Sequence, residues 1–234
     1  MRFSHATAFN TAYILDWLQF KHRANGTDAW EGTPLITHLF GQVDLGILPN
    51  GENPAAINDM KSLIVRVEIP GWTTVMQGDA VNNQTNILIT NHIELEADIL
   101  QASLQGGGVN LGAAQPVDRA NSEAWARHIN PRFAIISAGS HGHHRHPRAD
   151  AINRFNFEGN RLDIVQQHTI HYYQDANPLA YIEVPPIESQ YGGLLGRTRK
   201  AVYTTFSSGN ITFESGHHTP ALVVAPANLP PYLP

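Results

Sequence analysis

The clearest alternation of hydrophobic and charged positions lies in residues 62–69, where Val and Ile residues are interspersed with Arg66 and Glu68. This pattern predicts a largely buried β-strand. Pro70-Gly71 is a turn signal, and the β-prone residues 72–77 predict a second strand. The two runs together predict a β-hairpin.

Gly78-Asp79 follows this hairpin directly. A glycine lets the backbone bend, and a carboxylate at the end of a strand is held rigidly enough to bind a metal or to act as an acid. Asp79 is therefore a candidate metal ligand and catalytic residue. Because Asp is also a favourable N-cap residue, capping of the segment that follows is the alternative.

Elsewhere the pattern predicts alternating helices and strands. Helical periodicity is present in residues 9–24, 122–129 and 147–155, and residues 82–97 favour a helix in their second half. Asn25-Gly26 and Asn130-Pro131 are the expected helix ends, and residues 27–34 are an expected loop. Further β-prone runs are residues 43–48, 98–102, 133–137, 168–173, 181–184, 201–206 and 211–214.

The order of these elements predicts an α/β layered domain with a mixed β-sheet and flanking helices. Residues 207–210 are the expected hairpin turn between the last two strands. We expect a single domain over residues 1–220, because no repeat or linker divides it, followed by an irregular Pro-rich tail over residues 221–234.

Composition narrows the chemistry that this domain can perform. The formal charge is −5 with only 15 Lys and Arg residues, which argues against a broad nucleic-acid-binding face, although a nucleic acid remains possible as a substrate. The chain has no cysteine, so any zinc site must use His and carboxylate ligands. With no secretory signal and no run of about 18 apolar residues, we expect a cytoplasmic protein without a membrane partner.

Histidines are concentrated in one predicted loop, at His141, His143, His144 and His146. Imidazoles bind zinc, nickel and copper, so this loop is a candidate metal site, and a solvated loop is the alternative interpretation. His168 and His171, on a predicted strand, are expected to be structural. Asp98 is a candidate supporting or capping group.

Four segments, in order, resemble the competence-protein (ComEC-type) branch of the metallo-β-lactamase superfamily. The similarity covers roughly residues 43–214. Residues 58–65 with Gly78-Asp79-Ala80 resemble the family's Ser-Leu-Val-Leu and Gly-Asp-Ala hairpin, and residues 97–100 resemble its Ala-Asp-Val-Leu strand. Residues 131–139 with His146-Pro147 resemble its Val-Ile-Ser-x-Gly and His-Pro segment. Residues 202–212 resemble its closing hairpin.

This resemblance implies a four-layer αβ/βα sandwich with two metal ions, usually zinc or manganese, on its edge. The metals of that family activate a bridging water that attacks phosphodiester or amide-like bonds. Asp79 matches the family's bridging carboxylate, and His146 matches the last His ligand of the second metal. The resemblance therefore implies a metal-dependent hydrolase with Asp79 and His146 as metal ligands.

Two parts of the family pattern are missing from this chain. No His-x-His-x-Asp-His motif precedes Asp79, because the upstream histidines His5, His22 and His38 are isolated from one another. The family's His-His-Gly-Ser corresponds here to residues 104–107, Leu-Gln-Gly-Gly. We therefore expect a truncated or partial sandwich whose activity is impaired and whose metal site is incomplete or empty.

Two hypotheses remain open. In the first, the chain is a hydrolase whose missing ligands come from a partner chain or an upstream segment. In the second, it is a non-catalytic remnant or interaction module that uses the uncovered half of the sandwich to bind a partner or another copy of itself.

Overall fold

The computed structural model of the protein describes residues 22–24, 27–29, 35–40, 62–69, 71–80, 82–91, 95–107, 116–138, 145–209, 211–214 and 221–224. These residues include a six-stranded mixed sheet. Its strands are β3 (Leu35–Phe40), β4 (Ile64–Ile69), β5 (Trp72–Met76), β6 (Ile99–Gln101), β7 (Phe133–Ile136) and β11 (Val202–Thr204). They lie in the order β11-β7-β6-β5-β4-β3. Strands β5, β6, β7 and β11 are parallel, whereas β3, β4 and β5 pair antiparallel.

The hairpin predicted for residues 62–77 is confirmed. Ile69 pairs with Trp72 across the turn, and Val65 pairs with Met76 at its far end. Gly71 has φ +87°, a left-handed conformation that glycine adopts without steric cost. The predicted strands at residues 98–102 and 133–137 are also confirmed, as β6 and β7.

Helices pack against one face of the sheet. The prediction of a helix in the second half of residues 82–97 is wrong. The helix there is α1 (Asn82–Thr90), in the first half, with Thr85 and Leu88 buried. Leu95 and Ala97 are buried while Glu96 between them is exposed. That period of two belongs to an extended segment leading into β6, and a run this short does not distinguish it from helical spacing.

Helix α2 (Pro116–Ile129) begins six residues before the predicted start at residue 122 and ends as predicted. Asn130 has φ +43° and its N–H donates to the Ala126 carbonyl at 2.9 Å, as an asparagine following a helix commonly does. Pro131 then prevents the helix from continuing. Helix α3 (Ala149–Asn153) lies inside the predicted helix 147–155 and is shorter.

The main hydrophobic core lies between the sheet and these helices. Fully buried members include Ile64, Leu100, Trp125, Ile136 and Ile152. A second cluster lies on the other face of the sheet, where Trp72, Phe133 and Phe213 contact one another edge to face with ring centroids 5.1 to 5.5 Å apart. Strand β12 (Ile211–Glu214) supplies Phe213, so the chain covers part of this face itself.

A three-stranded antiparallel sheet adjoins the main sheet. Its strands are β8 (Ile164–Tyr172), β9 (Val184–Glu188) and β10 (Leu194–Lys200), in the order β8-β10-β9. Only Ala201 separates β10 from β11, and β8 lies beside β11. His168 Nε2 lies 3.0 Å from the Val202 carbonyl, and the His171 N–H donates to Thr204 Oγ1 at 3.3 Å. Strand β8 therefore runs in the same direction as the parallel strands of the main sheet.

Other predictions are wrong in part or lie outside the described residues. The predicted helix 9–24 lies mostly outside the described residues, and its end is instead β1 (His22–Ala24), which pairs with β2 (Thr27–Ala29) in the predicted loop. The predicted strand 43–48 also lies outside the described residues. The strand predicted at 181–184 begins at Val184, and β10 was not predicted.

The expected hairpin between β11 and β12 does not form. Strand β11 pairs in parallel with β7, and β12 pairs with β13 (Ala221–Val224). A short helix, α4 (Thr205–Ser208), replaces the end of the predicted strand 201–206 and the start of the expected turn 207–210. The start of the predicted irregular tail is thus a strand, and residues 225–234 lie outside the described residues.

The predicted α/β class with a mixed sheet and flanking helices is confirmed. No helix among the described residues is long and apolar enough to cross a membrane.

Replacing Phe213 by Ala tests how firmly β12 is held on the sheet. We expect a loss of about 2–3 kcal/mol in the free energy of unfolding, because the substitution removes two edge-to-face aromatic contacts and leaves Trp72 partly uncovered. Urea denaturation measures this loss. The neighbouring exposed Thr212→Ala is the control, and equal effects of the two substitutions would contradict the packing described for β12.

Candidate functional site

The carboxyl ends of the parallel strands β5, β6, β7 and β11 meet at one edge of the main sheet, the position where α/β proteins generally place their sites. Asp79 follows β5, and a 3₁₀ turn (Ser103–Gly106) follows β6. His146 comes in the loop after β7 and before α3. We refer to this region as the carboxyl edge.

Hydrogen bonds from the neighbouring strand hold the backbone around Asp79. Gln101 Oε1 accepts from the N–H of Gln77 at 3.1 Å and, more weakly, from that of Gly78 at 3.4 Å. The Ala80 N–H donates to the Gln77 carbonyl at 3.0 Å, and Ser103 Oγ donates to the Ala80 carbonyl at 2.5 Å. Gly78 has φ +53°. The half-buried Asp79 thus lies in a turn whose backbone is hydrogen-bonded on both sides of it.

The backbone that follows His146 is anchored at the same edge. The Pro147 carbonyl accepts from the Tyr173 N–H at 2.8 Å, and the Arg148 N–H donates to the Gly106 carbonyl at 3.1 Å. Gly106 has φ +73°, and a Cβ at this position would lie 2.7 Å from Pro147 Cβ. Only glycine fits there without displacing Pro147.

One short turn therefore contacts both candidate segments. Ser103, at its start, binds the residue next to Asp79, and Gly106, at its end, binds and packs against the residues next to His146. The structure places Asp79 and His146 on the same edge of the sheet, on either side of the Ser103–Gly106 turn.

The charge of Arg148, two residues after His146, is compensated locally. Its Nε and Nη2 donate to Asp175 Oδ1 at 2.8 and 2.5 Å, and the other carboxylate oxygen accepts from the Asp150 N–H at 3.0 Å. The hydrogen bond to Asp175 raises the pKa of Arg148, against a smaller opposing effect of burial. This pair reduces the repulsion that Arg148 would exert on a cation bound nearby.

The described residues contain no group of three or more His, Asp or Glu side chains arranged to hold a metal ion. His141, His143 and His144 lie outside these residues, so the predicted metal site in the His-rich loop stays a prediction. His168 stacks on Tyr203 with ring centroids 4.4 Å apart, and His171 is fully buried. Both have the contacts of structural residues, in agreement with their interpretation from the sequence.

Asp98 lies at the opposite edge of the sheet, at the amino end of β6. Its Oδ2 accepts from the Thr73 N–H at 3.0 Å, and its Oδ1 lies 3.8 Å from Arg132 Nη1 and 3.6 Å from Arg161 Nη2. It therefore ties β5 to the segments around Arg132 and Arg161. Asp98 does not support the site at the carboxyl edge.

Sequence reasoning missed the polar residues that shape the carboxyl edge, namely Gln77, Gln101 and Ser103. Gln77 is fully buried, and neither its amide oxygen nor its amide nitrogen has a hydrogen-bond partner among the described residues. The only signal in the sequence is that a β-prone run ends in a polar residue on the face occupied by Val75. A buried amide without partners is costly, and such groups call for an explanation.

No family model, no curated protein and no solved structure matches this chain.

Gly106→Ala tests the close contact between the 3₁₀ turn and Pro147. Gly159→Ala is a matched control, because Gly159 has a similar φ of +79°, yet a Cβ there would meet no atom of the described residues within 4 Å. We expect the control to lose about 1 kcal/mol of stability from backbone strain, and Gly106→Ala to lose roughly 2 kcal/mol more from overpacking. Thermal or urea unfolding gives both values, and equal losses would refute the contact.

Gln77→Met tests whether the buried amide of Gln77 lowers the free energy of unfolding. We expect this variant to be about 1 kcal/mol more stable than the wild type, because it removes two unpartnered polar atoms at similar volume. Gln84 is the contrasting case, since it is almost fully buried and its Nε2 donates to the Ser62 carbonyl at 2.8 Å. Gln84→Met is expected to lose stability by about 1 kcal/mol in the same urea series, and a loss for Gln77→Met would show that its amide is satisfied.

Proposed function

We propose that this chain is a metal-dependent hydrolase-like protein of the metallo-β-lactamase lineage, in which Asp79 and His146 contribute to a metal site on the carboxyl edge. The observation that carries this proposal is the convergence of the Gly78-Asp79 turn and the His146-Pro147 segment on the Ser103–Gly106 turn. Both residues are half-buried, and both sit on backbone that hydrogen bonds hold in place. A rigid support of this kind is what a metal or catalytic site requires.

The side chains of Asp79 and His146 are of the types that bind zinc or manganese, but two ligands are fewer than a catalytic site needs. A carboxylate oxygen and an imidazole nitrogen are ordinary ligands of both metals, and the pairing of Arg148 with Asp175 lowers the local positive charge. A catalytic zinc site uses three protein ligands, and the described residues bring no such group together. Further ligands would have to come from the His-rich loop, from other parts of the chain or from a partner, and phosphodiesters are the expected substrate class of this lineage.

The second candidate is a non-catalytic remnant that acts as an interaction module. The absence of a three-residue ligand group in the described part of the chain favours it. The packing of β12 leaves less of the sheet face for such a module to use, because Phe213 already covers Trp72 and Phe133. Met76, whose exposed fraction is 44%, belongs to the part of that face that is still accessible.

Metal content separates the two candidates. The 234-residue chain, loaded with zinc or manganese and dialysed, is expected to hold a stoichiometric ion by elemental analysis. Asp79→Asn and His146→Gln should each weaken metal affinity by at least about tenfold, whereas His168→Gln should not, because His168 is hydrogen-bonded to Val202 on another strand. Hydrolysis of a phosphodiester reporter should decrease in Asp79→Asn and His146→Gln and should not decrease in His168→Gln.

The contrary result is equally specific. A content below roughly a tenth of an ion per chain, with no phosphodiesterase activity in added zinc or manganese, would contradict the hydrolase and leave the interaction module. Circular dichroism of each variant confirms that a loss of metal is not a loss of fold.

A further inference from the structure

His171 is a buried histidine in which only one ring nitrogen is hydrogen-bonded to the described residues. It lies on β8 and is fully buried, and its Nε2 is 2.8 Å from the Gly192 carbonyl oxygen. A carbonyl oxygen can only accept, so Nε2 carries the proton in this contact. Nδ1 is then a bare lone pair, and it is buried without a hydrogen-bond partner in the described part of the chain. The ring is held in the neutral state and in one tautomer.

The turn that joins β9 to β10 lies directly on this ring. The Ser189 N–H donates to the Gly193 carbonyl at 3.0 Å, and the Gly192 N–H donates to the Ser189 carbonyl at 2.9 Å. Gly192 and Gly193 have φ of +83° and +75°. A Cβ on Gly193 would lie 2.7 Å from the Tyr172 carbonyl oxygen and 3.0 Å from His171 Nε2. Two left-handed glycines thus let the backbone approach the imidazole closely.

The described surroundings of the ring offer nothing to stabilise a positive charge on Nδ1 by an ion pair. Tyr173, directly after β8, contacts the ring edge to face with a centroid distance of 5.3 Å, and Phe206, on α4, does so at 4.6 Å. From the turn, Tyr191 packs on Phe206 at 5.5 Å, and from β11 the Thr204 hydroxyl accepts the His171 backbone N–H. Tyr173 and Tyr191 are the titratable groups in this cluster, and no described carboxylate pairs with His171.

We propose that His171 is an acid-sensitive latch: its neutral ring holds the Ser189–Gly193 turn against the end of β8, and its protonation releases that turn. A second ring N–H on Nδ1 would have no acceptor among the described residues in the closed arrangement, and a buried charge without a partner is strongly unfavourable. Opening the turn lets water reach the ring.

The direction of the pH dependence follows from this geometry. Burial lowers the pKa of His171, and the hydrogen bond with Gly192 opposes that effect only in part. In the open form the ring returns to its ordinary pKa of about 6.5, so the open form binds more protons below that pH. The closed form is therefore fully stable above about pH 6.5 and is progressively lost as the pH falls below it.

The latch lies next to the carboxyl edge but does not depend on a metal there. Tyr173, two residues beyond His171, donates its N–H to the Pro147 carbonyl beside His146. Release of the turn would uncover Tyr173, whose hydroxyl packs so closely on the turn that a Cβ added to Gly192 would lie 3.6 Å from it. Acid would thus change the surface of the carboxyl edge through a conformational step.

Hydrogen exchange of the 234-residue chain tests the latch. After correction for intrinsic exchange, the Ser189 and Gly192 amides should exchange roughly tenfold faster at about pH 5.5 than at about pH 7.5. This is the factor expected when the open form has the ordinary histidine pKa of about 6.5 and the closed form does not titrate. The Ala102 amide, bonded to Ile135 in the core, is the reference and should not accelerate by this factor. In His171→Gln, which can donate to Gly192 without titrating, the acceleration should vanish.

His168→Gln is the matched control on the same strand and should keep the wild-type response. In the wild type, the ¹⁵N chemical shifts of the His171 ring should report an Nε2–H tautomer and a pKa below about 6.5, which needs no variant to fold. The proposal is overturned by pH-independent exchange of the turn, by an equal acceleration of the Ala102 amide, by an unchanged response in His171→Gln, or by a His171 ring that titrates at or above the ordinary value.

Discussion

A close contact between Gly106 and Pro147 is the constraint on which the carboxyl edge depends. The 3₁₀ turn after β6 can pass beside the His146-Pro147 segment only because residue 106 has no side chain. Its other end, at Ser103, is bonded to the residue after Asp79. Two loops that are distant in sequence are thereby held against one turn, and the parallel strands beneath them set the spacing of all three.

Buried polar atoms without a hydrogen-bond partner among the described residues occur in several parts of the fold. Those of Gln77, His171, Tyr173 and Ser208 lie close to the carboxyl ends of β5, β8 and β11, whereas those of Trp125, Asn160 and Tyr181 belong to α2 and to other segments. Each such atom costs stability that a purely structural core would avoid. Each such group calls for an explanation, and for His171 the proposed latch supplies one.

The sequence was most informative where a structure is determined by neighbouring residues. The hairpin around Gly71, the buried strand β7 and the end of α2 at Asn130 follow from alternation, turn residues and helix-stop chemistry, which act within a few positions. Prediction failed where pairing decided the outcome. The sequence predicted that strand β11 (Val202–Thr204) pairs with β12 in a hairpin. In the structure β11 pairs in parallel with β7, and β12 pairs with β13.

The sequence by itself determined the α/β class, and the Gly-Asp turn after a strand marked Asp79 as a candidate. His146 was marked by its place in the His-rich loop and by the family resemblance. Only the tertiary structure brought these residues to one edge, and only it showed that Gln77 and His171 are buried without full hydrogen bonding to the described residues. The physical reason is distance along the chain. Ser103 and Ala80 are 23 residues apart, His171 and Gly192 are 21 apart, and contacts over such separations arise only when the strands that carry them pack together.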